Sequence, residues 1–420
     1  MSQRDADVNE ATDAVTATTA PPRAVSFTPS SPTATRLGVQ TPRRRPFATA
    51  ISWIALLVAA AVVFELSCRV EDWVMYRTPI ASPYQSIEDL VIRDADGMHG
   101  RPNAQFQEWI MNGLGTRGPS ASLLPPKNTT RVITVGASET FGLRESPDHE
   151  YPRQLEDSLN ARLRALGCSS ENGRFEVLNA AFAGMSLPTT DQDLRNRLVR
   201  YRPSIVVAYP SPAAYLGGPL PTATPPDSSA DPNRVSLAAV LRPRALERVR
   251  NQLKLMIPSV IQTWLRRREI NNYNSRRTHD ATWLFQGVPA DRVAAYDADL
   301  RHLVGTIRSI GATPVLATHA NAFNGRRNID TDKLTAWQKT WPRASGTTLV
   351  AFDSVAGLVT EKVGADSGVV VVDAATKLAG APDSAFADAV HFTDLGATLM
   401  ASTFAEGVMR AHQTKPCATP

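Results

Sequence analysis

The sequence predicts a doubly wound α/β domain, a flavodoxin-like parallel five-stranded sheet with flanking helices, preceded by one transmembrane helix. Three observations predict it: short runs that are apolar at nearly every position, helix-period segments between those runs, and an uncharged stretch near the N-terminus. Strands that are apolar throughout and alternate with helices belong to a parallel sheet covered on both faces. Right-handed crossovers then place helices on both sides.

In chain order, residues 1–46 are dominated by Ala, Thr, Pro and Ser. Too little apolar surface is available there to offset chain entropy, so a disordered tail is expected. Phe47 to Phe64 carries no charge. As a helix this stretch would be about 27 Å long, near the hydrocarbon thickness of a bilayer. Arg43, Arg44 and Arg45 precede it, and Glu65, Glu71 and Asp72 come after it. The positive-inside rule therefore keeps the N-terminus in the cytoplasm and exports the chain beyond the helix. An uncleaved anchor over 47–66 is favoured over a cleaved signal peptide, because the apolar run continues past the Ala59–Ala61 cluster. Residues 67–130 form a juxtamembrane approach segment.

From Arg131 the chain alternates. "RVITVGAS", "FEVLNAAFAG", "SIVVAYP", "TPVLATHA" and "GVVVVDAA" read as the five strands. "YPRQLEDSLNARLRALG", "TTDQDLRNRLVRYRP", "DRVAAYDADLRHLVGTIRSIG" and "TDLGATLMASTFAEGVMRAH" read as helices. The domain is expected over 131–412, interrupted by an insertion at 211–280, with 413–420 as a tail. A Pro-rich loop opens the insertion. Its basic part, 241–277, holds ten Arg and Lys residues against Glu247 and Glu269. That local excess of +8 exceeds the +5 of the whole chain, so the basicity is one patch and the remainder is slightly acidic. On the exported side such a patch does not meet nucleic acid; it serves either as a solvated face or as a contact with lipid headgroups or acidic polymers.

Three cysteines exclude a disulfide framework, although Cys168 and Cys417 can pair. No phosphate loop and no zinc-ligand spacing is present, so no metal and no cofactor are expected.

In an open α/β sheet, ligands sit at the carboxyl ends of the strands. Ser138, in "VGASETFG", ends the first strand there. It reads either as a helix N-cap or as a nucleophile on a tight turn. A serine nucleophile needs a base. Of the seven histidines, His319 and His391 come after strands near this sheet edge, and Asp388 stands three residues before His391. A carboxylate so placed can hold the ring tautomer and stabilise the protonated imidazole.

These blocks resemble the SGNH, or GDSL-like, hydrolase superfamily in its membrane-anchored bacterial branch. The match consists of Gly136-Ala137-Ser138-Glu139-Thr140-Phe141-Gly142, then Asn179 and Gly184 in "LNAAFAG", then Asp388 to His391 with Thr393 and Gly396 after them. "NGLGTRGPS" at 112–120 resembles the approach segment of anchored members. The resemblance spans roughly 112–410 apart from the insertion, and it implies Ser138 as nucleophile, His391 as base and Asp388 as orienting carboxylate. It also implies that the N–H groups of Ser138 and Gly184 face the oxyanion. The family's third block supplies an asparagine, but "VVAYPSPAAYLGG" has Ala213 or Ala214 there, and Pro210 and Pro212 lack donors. Ser211 or Asn321 is the candidate substitute, with a loop-turn role as the alternative for Asn321. His319 is read as a substrate contact or a histidine satisfied by backbone, and Asp373 as a cap.

The expected function is an exported, membrane-tethered serine esterase that removes a short O-acyl group from a carbohydrate or envelope polymer or a lipid. An acyltransferase using the same triad and an inactive glycan-binding domain are the alternatives. The expected location is the bacterial inner membrane, single-pass.

Overall fold

The computed structural model describes residues 46–169, 172–223, 283–326 and 329–412, together with isolated positions between 243 and 275. Of the tails expected at 1–46 and 413–420, all but Pro46 lies outside the described residues, as do the Pro-rich loop from residue 224 onward and most of the basic insertion.

Helix α1, Pro46–Tyr76, is longer than the span expected from the apolar run. Its stretch Thr49–Tyr76 is long and apolar enough to cross a membrane. The side chains from Ile51 to Phe64 are largely exposed. Beyond Glu65 the helix changes character, because Cys68, Arg69 and Asp72 are buried. Arg244, from the insertion, pairs with Asp72 at 2.7 Å and donates to the Ser82 carbonyl at 2.8 Å. The helix continues past the apolar run because these polar contacts hold its last turns.

Two small antiparallel hairpins come next, β1 (Val91–Asp94) with β2 (Gly97–Gly100) and β3 (Gln105–Phe106) with β4 (Trp109–Ile110). After them are β5 (Thr129–Gly136), α2 (Ser138–Phe141), α3 (Tyr151–Ala165), β6 (Arg174–Asn179), α4 (Leu187–Asn196) and β7 (Ile205–Tyr209). After the insertion come α5 (Ala290–Ser309), β8 (Thr313–Ala317), α6 (Thr331–Thr340), α7 (Gly346–Ser367), β9 (Val370–Val372), α8 (Ala374–Ala379) and α9 (Asp394–Ala411).

The main sheet is five-stranded in the order β6-β5-β7-β8-β9, and every pairing in it is parallel. All five expected strands are present. Alternate residues of each strand enter opposite cores. Ile133, Val135, Val206 and Ala208 pack with Leu194 of α4, Leu303 of α5 and Phe352 of α7. Val132, Ile205, Val207 and Tyr209 pack with Leu155 of α3 and Phe404 of α9. A strand buried on both faces has no polar alternation to display, which is why these segments read as continuous apolar runs.

The interruption begins later than the sequence suggests. Residues 212–216 form a 3₁₀ turn in which Tyr215 and Leu216 are buried, and the Tyr215 hydroxyl donates to Asp299 at 2.6 Å. Cys168 is disulfide-bonded and Cys68 is a buried thiol, while Cys417, the expected partner of Cys168, lies outside the described residues.

Candidate active site

The strand order reverses at β5, which pairs with β6 on one side and β7 on the other. The cleft at such a reversal is where doubly wound sheets place ligands. The turn after β5 is tight for a local reason: a Cβ on Gly136 would collide with the Tyr209 carbonyl and the Thr140 hydroxyl. Ala137, not Ser138, occupies the helix N-cap, and it makes no side-chain cap. The capping role is thereby excluded for Ser138, which is the first residue of α2. Its Oγ, half-buried, donates instead to Glu139 Oε2 at 3.3 Å.

Distant residues hold the turn from behind. Asn179, at the end of β6, donates Nδ2 to the carbonyls of Thr140 at 2.9 Å and Phe141 at 3.3 Å. Arg117, from the approach segment, donates to the carbonyls of Phe141 and Gly142. Its backbone N–H meets the Asn179 carbonyl at 2.9 Å. These contacts satisfy carbonyls that a single-turn helix leaves without intrahelical partners.

His391 lies in a loop closed by the bridge between Phe386 and Phe392. Asp388 Oδ1 accepts the N–H groups of Val390 at 3.1 Å and His391 at 3.0 Å, and its carboxylate meets His391 Nδ1 at 2.8 Å. Although burial opposes its charge, the His391 ring and these N–H donors hold the Asp388 carboxyl down to about 2. An ionised carboxylate only accepts, so Nδ1 carries the proton and Nε2 is left as the basic atom. Nε2 is buried and, among the described residues, has no hydrogen-bond partner. Burial works against the imidazolium. The Asp388 hydrogen bond and the Glu139 and Asp388 charges outweigh it, and His391 is raised above its ordinary value. Arg144 lies 3.8 Å from Asp388 and opposes that rise.

The remaining candidates fall differently. Gly184 is exposed, and its N–H meets no acceptor among the described residues. Ser211 is half-buried and lines a small cavity with Gly136, Ser186 and Tyr209. Asn321 does not serve as the substitute oxyanion donor: it is 1% exposed, donates Nδ2 to Asp353 Oδ2 at 2.6 Å and accepts from Phe323 N at 2.9 Å. Its amide is committed to the core behind the site. His319 is held by two carboxylates and not by backbone. Its Nδ1 meets Asp353 at 2.7 Å and its Nε2 meets Glu139 at 3.3 Å. Asp373 caps α8 through Thr376 N at 3.1 Å, as expected.

Sequence reasoning missed Glu139 and Asp353. Glu139 stood beside the serine as an unassigned member of its block, and its burial was the only signal lacking. Asp353 sits inside α7 with no neighbouring motif. Among the described residues, no group of three His, Cys, Asp or Glu side chains is arranged to hold a metal ion. A cavity of about 800 Å³ lies behind the serine turn, lined by Glu108, Arg117, Glu150 and Arg153 among others, and it includes neither Ser138 nor His391.

No family model and no curated protein matches the chain. Among solved structures it is similar to an α/β hydrolase from the metagenome of Lake Arreo, with 14% identity, 67% of this chain and 95% of that chain covered, and a TM-score of 0.38. It is also similar to an acetylxylan esterase from Geobacillus stearothermophilus, with 13% identity, 69% and 97% covered, and a TM-score of 0.37. A lipase/acylhydrolase from Enterococcus faecalis gives 14% identity, 68% and 97% covered, and a TM-score of 0.36. Likeness this low assigns no activity, which must come from the site itself.

Proposed function

We propose that the chain is a membrane-tethered serine esterase of SGNH type whose domain acts outside the cytoplasm on an O-acyl ester of a carbohydrate or envelope polymer. The observation that carries this reading is His391: its Nε2 is buried without a partner among the described residues, its Nδ1 is fixed by an ionised Asp388, and it lies within electrostatic reach of the residue next to Ser138. A base prepared in this way, under the charge of the residue beside a serine on a tight turn, suits acyl transfer through an acyl-enzyme.

In this mechanism Ser138 Oγ attacks the acyl carbonyl while His391 Nε2 takes its proton. The charge that develops on the carbonyl oxygen meets the N–H groups of Ser138 and Gly184. As the acyl carbon–oxygen bond breaks, the protonated His391 gives its proton to the departing sugar oxygen, which leaves as a hydroxyl and leaves the acyl group on Ser138. Water, giving a proton to His391, then attacks the acyl-enzyme; the bond to Ser138 Oγ breaks, Oγ takes the proton back from His391, and the acyl group leaves as a carboxylic acid. With no asparagine donor, the oxyanion lacks one hydrogen bond, which costs on the order of 10²–10³ in rate. The long apolar helix supports the tether, and the Cys168 disulfide suits an oxidising compartment.

The test is turnover of a chromogenic short-chain acyl ester by the full chain in detergent micelles. Turnover abolished by Ser138→Ala supports the reading. Failure of a serine-directed phosphonate to label Ser138 would sink it and favour a glycan-binding domain. Product formed on an added glycan acceptor would identify transfer over hydrolysis.

A further inference from the structure

We propose that Glu139 is a positioning residue of this site: its carboxylate, clamped by the buried His319–Asp353 pair, holds the Ser138 hydroxyl and stabilises protonated His391. The proposal rests on reading Ser138 as the nucleophile.

Four residues from three parts of the fold meet behind the serine. Glu139 comes from α2, His319 and Asn321 from the segment after β8, and Asp353 from the middle of α7. The side chains of Glu139, His319 and Asp353 are 2%, 1% and 2% exposed. His319 bridges the carboxylates, at 3.3 Å to Glu139 and 2.7 Å to Asp353, and Asn321 closes the far end on Asp353 at 2.6 Å. The Tyr209 ring stacks on His319 with centroids 5.3 Å apart. A lone buried carboxylate takes up a proton rather than remain charged. Here each carboxylate has the imidazolium as counter-ion. His319, despite its burial, is pushed up to about 10, and Glu139, despite its burial, is held down to about 2.

A buried ion cluster is weak evidence for stability, since apolar packing can serve equally well. What distinguishes this cluster is that one member reaches out of the core. Glu139 Oε2 accepts from Ser138 Oγ at 3.3 Å, and its charge acts on His391. The Ser138 hydroxyl has one proton, which Glu139 accepts in this structure, while His391 Nε2, without a partner among the described residues, is the acceptor that the proposed attack requires. Glu139, fixed in its ionised form, orients the hydroxyl without taking the proton. His391 takes the proton, and the resulting imidazolium is then stabilised by two carboxylates, Asp388 and Glu139. The other groups acting on His391 and Glu139 are Arg144, which opposes the imidazolium, and the Tyr151 and Tyr209 hydroxyls near Glu139.

The test is ¹⁵N-histidine NMR titration of the full chain in detergent micelles. Wild-type His319 is expected to stay protonated at pH 8, and His391 to titrate above the ordinary imidazole value. In Glu139→Gln the His391 midpoint is expected to fall by about one unit. With an ester substrate, the acidic limb of kcat/KM should move down by the same amount at unchanged KM, which a merely structural defect would not produce. A neutral His319 at pH 8 in the wild type, or an unmoved His391 midpoint in folded Glu139→Gln, overturns the proposal. If Glu139→Gln does not fold, the wild-type His319 titration decides alone. The titrations are read whether or not ester turns over, so absent turnover sinks the esterase reading and an unmoved midpoint sinks this one.

Discussion

Replacing Glu145 with glutamine should make the protein more stable, by an amount that depends on pH in a defined direction. Glu145 is 4% exposed in the loop between α2 and α3. Its Oε2 accepts from Arg144 N at 3.0 Å, and its Oε1 has no hydrogen-bond partner among the described residues. Burial pushes its carboxyl up from 4.5 to about 7; Glu150 adds to the rise, while backbone hydrogen bonds and Arg117 oppose it. The unfolded chain releases this proton near 4.5 and the folded chain near 7, so folded stability falls as pH rises through that window and stays lower above it. A difference of about 2.5 units corresponds to about 3 kcal/mol. Glutamine keeps the acceptor for Arg144 N and never ionises. Glu145→Gln is therefore expected to match the wild type near pH 4 and to exceed it by up to about 3 kcal/mol at pH 8. Thermal unfolding of both proteins by circular dichroism, from about pH 4.5 to about pH 8.5, measures the gap, and other titrating groups cancel in the difference. A gap that is constant with pH, or that closes as pH rises, would refute the reasoning. The same loop carries Arg144 to Asp388 and binds Ser146 N to Asp394 at 2.7 Å. Ionisation of Glu145 thus destabilises a segment that touches Asp388 and Asp394.

Three further outcomes are expected. Asp388→Asn should keep the Val390 and His391 N–H bonds but turn an amide toward Nδ1, favouring the wrong tautomer; a kcat loss on the order of 10⁴ is expected in steady-state assays at neutral pH. The activity of the wild type should rise with pH through a limb above the ordinary imidazole value of 6.5, because the raised His391 is a base only once its proton is lost; a kcat/KM profile with its limb at or below that value would contradict the geometry. Gly136→Ala should destabilise the fold by about 1–3 kcal/mol in urea unfolding, because the methyl meets the Tyr209 carbonyl and that strand must shift.

The aspartate–histidine pair was legible because it is local. Three residues separate Asp388 from His391, and one turn is enough to join them. Ser138 was legible because a strand end and a glycine turn mark it. Helix α7 was not, since "GTTLVAFDSVAGLVTEKVGADS" mixes β-branched residues and glycines, and its apolar residues do not keep to one stripe. The continuation of α1 to Tyr76 was also hidden, because Arg244, 172 residues away, supplies the partner for Asp72.

By itself the sequence determined the sheet, four of the helices that cover it, the long apolar helix and the serine and aspartate–histidine blocks, all of which arise from patterns local in the chain. Only the tertiary structure decided what lies behind the serine. Glu139 and His319 are 180 residues apart, and His319 and Asp353 are 34 apart. No periodicity relates them, and their charges coexist in the core only because packing brings opposite signs within hydrogen-bonding distance. That same packing turned Asn321 inward to Asp353 and left His391 Nε2 without a partner among the described residues.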